Sequence, residues 1–100
     1  MSGEIYTIEQ LRTILKPVFR FHGVKSAVLF GSYGKGVASA NSDIDLLVDS
    51  RLRGLRFVGL MEDVRSAVDK EVDLLDVSHV EDNSKVQDEI RKTGVLLYEE

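Results

Sequence analysis

The stretch Asp43-Ile44-Asp45-Leu46-Leu47-Val48 constrains this chain more than any other. In an extended strand successive side chains point to opposite faces. Ile44, Leu46 and Val48 therefore share one face, and Asp43 and Asp45 share the other. The apolar set needs a packed layer of helices beneath it. The two carboxylates project together, about 7 Å apart along the backbone at ~3.3 Å per residue, and their side chains can converge on a common cation. Like charges this close repel unless something neutralises them, and a hard divalent ion does so.

The surrounding sequence supplies the rest of a small mixed sheet. Thr7 and Gln10 have the spacing of a capping box, followed by Ile8, Leu11, Ile14 and Leu15 at helical period. Pro17 is expected to bend or break that helix, and Gly23 to stop it. Val24 to Phe30 reads as a buried strand that runs into a Gly-rich turn holding Gly31, Ser32, Gly34 and Gly36. Residues 37–42 are small and polar, hence a loop. Ile44 to Val48 is the second strand. Leu55 to Lys70 carries Phe57, Leu60, Met61, Val64 and Val68 at helical spacing, and Glu71 to Val77 is a third strand. Ser84 and Gln87 suggest another capping box, Gly94 a helix end, and Val95 to Tyr98 a short edge strand open to pairing with another chain. The order predicts an α/β fold: one small mixed sheet with helices packed on one face. About a dozen residues link the first two strands, which permits parallel or antiparallel pairing.

Two further features converge on the acidic strand. The Gly31-Ser32 tip of a buried strand offers bare backbone N–H groups, which with the Ser32 hydroxyl suit a phosphate, and Lys35 can reach the same anion as a point charge. On the third strand, Asp73 joins the carboxylate face if that strand lies beside the second. Three carboxylates can hold two magnesium ions about 3.5–4 Å apart. Asp76 has the opposite parity and is the competitor. Choosing Asp73 turns Val72 and Leu74 into the core and Asp76 with them, so Asp76 should lie near the strand end. Ser42 either contacts the ligand or bonds within its own loop. Tyr33 either packs beside the phosphate turn or stacks on a base. His22 and His79 lack partners at metal-ligand spacing and read as structural. Arg51, Arg53 and Arg56 read as a solvated loop, with a partner or nucleic-acid contact as the other reading.

Composition narrows the function classes. The chain has 100 residues, 43% hydrophobic and 30% charged, which fits a single folded domain over 1–100. There is no cysteine, so disulfides and thiolate metal sites are excluded. No apolar run approaches the ~20 residues of a membrane span, and no signal peptide is visible, so a cytoplasmic location is expected. A net charge of -4 argues against broad nucleic-acid binding and for a small substrate or a protein partner.

Gly31-Ser32, ten residues, then Asp43-x-Asp45 resembles the signature of the polymerase-beta-like nucleotidyltransferase superfamily. Phe30-Gly31-Ser32-Tyr33-Gly34-Lys35-Gly36 with Ser42-Asp43-Ile44-Asp45-Leu46 is similar to its minimal nucleotidyltransferase (MNT) branch, and the resemblance runs over residues 7–99. It implies magnesium-dependent transfer of a nucleoside monophosphate from a triphosphate such as ATP. Asp43 and Asp45 would be metal ligands, Asp73 a ligand that also helps deprotonate the nucleophile, and Gly31 and Ser32 would contact the triphosphate. It further implies a HEPN-type toxin as partner, the MNT protein being the antitoxin and some members placing AMP on a toxin tyrosine. A contact-only antitoxin, or a transferase acting on RNA ends or a small molecule, are the alternatives. Members commonly have Ala-Arg where this chain has Gly34-Lys35, which trades a bidentate fork for a point charge.

Overall fold

The computed structural model describes residues 5–80 and 84–100. It contains α1 (Ile8–His22), β1 (Ser26–Phe30), α2 (Gly31–Lys35), β2 (Ile44–Asp49), α3 (Leu55–Val68), β3 (Val72–Asp76), a 3-10 turn (Val77–His79), α4 (Lys85–Thr93) and β4 (Val95–Glu99).

Helix α1 starts where Thr7 and Gln10 complete the reciprocal capping box, and ends at Gly23 with φ 70. Pro17 lies inside it, and of the two expected effects the break does not occur. The reason is burial: Leu11, Leu15 and Phe19 are all fully buried. Three such side chains stabilise by ~1.5–3 kcal/mol each, which exceeds the ~3 kcal/mol cost of an internal proline. The second helix stripe comes true as α3, with Phe57, Leu60, Val64 and Val68 buried.

The four strands form one mixed sheet in the order β3-β2-β1-β4. β1 pairs antiparallel with β2 and with β4, while β2 and β3 are parallel. The open choice between parallel and antiparallel is thus resolved as antiparallel, and β4 is an edge strand. Ala27 and Leu29, together with Ile44, Leu46 and Val48, face the core with Leu74 of β3. α1 and α3 pack against each other over that face, α1 also meeting β4 and α3 meeting β3. Phe19 and Tyr98 pack as tilted rings 5.4 Å apart between centroids, tying α1 to the edge strand. The short α4 is an additional cover: it meets α2 and β1, and its end approaches Val28, a residue of opposite parity to the buried Leu29.

The Gly-rich stretch differs from the expected turn, for Gly31–Lys35 forms one turn of helix. Tyr33 is its anchor, only 3% exposed and part of the core cluster, so it packs and is not available to stack on a base. Backbone bonds from Gly36 N to Tyr33 O and from Val37 N to Ser32 O close the turn. No helix among the described residues is long and apolar enough to cross a membrane.

Candidate active site

The register of the sheet assembles the site. Asp45 stands directly opposite Phe30 on β1 and Asp73 on β3. Phe30 is the last residue before Gly31, so the Gly31-Ser32 tip and two carboxylates meet at one end of the sheet. The carboxyls of Asp45 and Asp73 are within hydrogen-bonding reach. Burial, then the charge and hydrogen bond of Asp73, then the charges of Asp43 and Glu89, push the Asp45 carboxyl up to about 6. A carboxyl pushed up in this way by burial and neighbouring acids lacks a counter-ion. An all-oxygen, anionic donor set of this kind fits a hard divalent cation such as magnesium.

Asp43 precedes β2 and its side chain is exposed. Its charge reaches Asp45, but among the described residues no three His, Cys, Asp or Glu side chains converge as a metal-holding group. The structure therefore gathers Asp45 and Asp73 closely and leaves Asp43 at the margin.

Asp76 is buried on the core face at the end of β3, as parity requires. Burial pushes its carboxyl up, but Ser50 and Ser78 outweigh this and hold it at about 2. Ser50 N and Oγ donate to its Oδ1 at 3.0 and 2.6 Å, and Ser78 N and Oγ donate to its Oδ2 at 3.0 and 2.6 Å. All of its acceptor capacity joins the ends of β2 and β3, so Asp76 is structural and Asp73 is the carboxylate that reaches the site.

Gly31 has φ 68, and a Cβ there would lie 2.1 Å from Asp45 Oδ2. The backbone approaches the carboxylate in a way that only glycine permits. Gly34 is close-packed for a different reason: a Cβ would lie 2.3 Å from the Thr93 carbonyl oxygen. This accounts for the departure from Ala at that position, because α2 here lies tight against the end of α4. Lys35 extends across the same contact, its Nζ 3.2 Å from Glu89 Oε1. Ser32, in the first turn of α2, is half-buried, while the Ser42 hydroxyl is engaged within its loop, accepting from Ser39 N at 2.8 Å.

His22 bonds Asp63 on α3 at 2.6 Å, joining two helices, and His79 packs edge-on against Phe57. Both are structural. Arg51 and Arg53 are exposed between β2 and α3, and Arg56 is exposed in the first turn of α3. Sequence reasoning missed Glu89, whose charge bears on Asp45 and whose carboxylate meets Lys35. Its place depends on how α4 docks, for which Gly34 and Gly94 were the only local signals.

Residues 9–100 match the family described as "Polymerase beta, Nucleotidyltransferase". The chain belongs to this family. It is a nucleotidyltransferase. Over 70 residues, 68% of this chain and 75% of the other, it is 36% identical to a Methanocaldococcus jannaschii protein named "Putative protein adenylyltransferase". A solved structure described as a toxin-antitoxin with AMP-PNP superposes at TM-score 0.72 with 28% identity, covering 89% of this chain and 73% of that one. A complex of a tri-AMPylated Shewanella oneidensis HEPN toxin with an MNT antitoxin matches at TM-score 0.68, 23% identity, 94% of this chain and 74% of that one. At that identity the likeness is one of fold.

Proposed function

We propose that this nucleotidyltransferase moves AMP from ATP to a hydroxyl, a tyrosine, of a HEPN-type toxin, and so acts as the antitoxin of a two-protein module in the cytoplasm. The observation that carries the reading is Asp45 facing Asp73 beside the bare backbone of Gly31. The 28% identity to a toxin-antitoxin structure containing AMP-PNP supports the nucleotide and the module. The Methanocaldococcus relative supports a protein acceptor.

In this reading the first turn of α2 presents backbone N–H groups that have no partner within the helix, and Gly31 and Ser32 use them to seat the triphosphate. Lys35 and Ser42 border the phosphates, Lys35 by exchanging Glu89 for the anion. Asp43, Asp45 and Asp73 would hold magnesium. When bound, the metal neutralises the carboxylates and lowers the charge barrier at the phosphate. Asp73, exposed at the rim, accepts the proton of the acceptor hydroxyl. The acceptor oxygen bonds to the α-phosphorus as the bond to the bridging oxygen breaks, and pyrophosphate leaves.

The test is incubation with α-labelled ATP, magnesium and the product of the adjacent reading frame. The proposal expects label on that protein, lost in Asp43→Asn plus Asp45→Asn. Toxin neutralisation that survives the double substitution with no label transferred would refute it in favour of inhibition by contact. Label on RNA or a small molecule in place of the protein would refute the acceptor.

A further inference from the structure

Lys70 is a buried cation outside the carboxylate cluster. It is only 5% exposed, one of three buried polar or charged residues among the described residues. It follows Asp69, whose φ of 52 turns the chain out of α3 and toward β3. It lies two residues before β3, in the connection between α3 and that strand. Its Nζ donates to the Ala40 carbonyl at 3.0 Å. None of the ion pairs among the described residues includes it.

A buried ammonium is costly to desolvate, and one neutral carbonyl recovers little of that cost. Folding stability is thus a poor reason for a lysine here. The bond does something more specific. Residues 37–43 connect α2 to β2 and end on Asp43. The bonds of Ser42 N to Ser39 O at 3.0 Å and Ser39 N to Ser42 Oγ at 2.8 Å are internal to this segment. The Lys70 bond ties its apex to the α3–β3 connection, which also leads to Asp73. One side chain thereby links the two segments that end on Asp43 and Asp73.

We propose that Lys70 is a positioning residue for Asp43: by gripping the Ala40 carbonyl it holds the segment that presents this carboxylate to the divalent cation. The inference rests on the reading of Asp43 and Asp45 as metal ligands given above. It accounts for how an exposed residue outside the strand is held near enough for its charge to act on Asp45.

The test compares wild type, Lys70→Met and Lys70→Arg in the full chain. Methionine preserves the apolar stem and removes the donor, and arginine restores a donor. Magnesium affinity is measured by calorimetry with a non-hydrolysable ATP analogue, and amide exchange at Ser39 and Ser42 is followed without metal. Lys70→Met is expected to weaken magnesium binding by on the order of tenfold, the lower range for losing an outer support of a metal ligand. Exchange at Ser39 and Ser42 should accelerate, while thermal stability holds or rises. Lys70→Arg should recover metal affinity to within about threefold of wild type, against the tenfold loss expected when such a support is absent. Lys70→Gln, too short to reach Ala40, serves the same comparison if the methionine variant does not fold. Wild-type metal affinity in the methionine or glutamine variant overturns the proposal, even if exchange accelerates, and so does failure of arginine to rescue. Asp45→Asn separates the two readings. If it binds magnesium as wild type does, the active-site reading fails and this inference with it. If it loses the metal while the Lys70 variants keep theirs, only the role of Lys70 fails.

Discussion

Replacing Gly31 by alanine tests the contact between the phosphate tip and the carboxylate pair. Two costs add. Gly31 sits at φ 68, and an L-residue in the left-handed region costs roughly 1–2 kcal/mol. The new Cβ would also lie 2.1 Å from Asp45 Oδ2 and 3.1 Å from its Cγ. To reach ordinary contact the oxygen must retreat by more than about 1 Å. It cannot move toward Asp73 without tightening a repulsive pair, so the carboxylate must rotate or the strand end must shift. Overpacking of this kind costs about 1–3 kcal/mol, so a total loss of roughly 2–5 kcal/mol is expected in urea unfolding. The functional loss should be larger than stability alone implies, because misplacing a reacting group by about 1 Å can cost on the order of 100-fold in rate. The assay is the initial rate of label transfer to the toxin, paired with unfolding of Gly31→Ala in wild-type and Asp45→Ala backgrounds. With Asp45 truncated the clash disappears, and only the backbone strain of ~1–2 kcal/mol should remain. Equal destabilisation in both backgrounds, or a Gly31→Ala rate within twofold of wild type, would refute the claim that this glycine exists to clear Asp45.

Further outcomes follow from the same geometry. Asp45, raised to about 6, binds a proton in the folded state that the unfolded chain has released, so metal-free stability should fall as pH rises from about 4 through 6; Asp45 is partly exposed, so ~1–2 kcal/mol is the scale after solvent screening. Asp76, held at about 2, contributes stability above its unfolded value that is lost as pH drops toward 2. Urea midpoints across pH should therefore peak near pH 4–5 for the metal-free protein, and magnesium should selectively restore stability at pH 8; a metal-free curve still rising between pH 5 and 8 would contradict the Asp45 assignment. Asp73→Asn removes the main charge opposing Asp45 and should raise metal-free stability at pH 8 while abolishing transfer, and a destabilised variant would show the pair is not repulsive. Gly34→Ala places a methyl 2.3 Å from the Thr93 carbonyl and should loosen α2 from α4, costing about 1–3 kcal/mol in thermal unfolding; a neutral result would mean the two helices separate freely.

Much of this site was legible because its rules are local. Period-two alternation put Asp43 and Asp45 on one side of Ile44, and the same parity separates Asp73 from Asp76. Helical spacing marked Leu11 and Leu15 as well as the α3 stripe, and Thr7 and Ser84 marked helix starts through bonds to residues three positions away. Such features depend on neighbours a few residues apart, so the sequence alone is sufficient to determine them. Other features needed contacts between distant segments. Gly31–Lys35 became a helix because Tyr33 could be buried in a core built from other elements. Pro17 was tolerated because three buried side chains hold the helix on either side of it. The parallel pairing of β2 with β3 turned Asp73 from a candidate into the neighbour of Asp45. Docking of α4 brought Glu89 to Lys35, and the turn at Asp69 brought Lys70 under Ala40. These last features are set by packing and burial, whose energies depend on the assembled fold and are absent from any short stretch of chain.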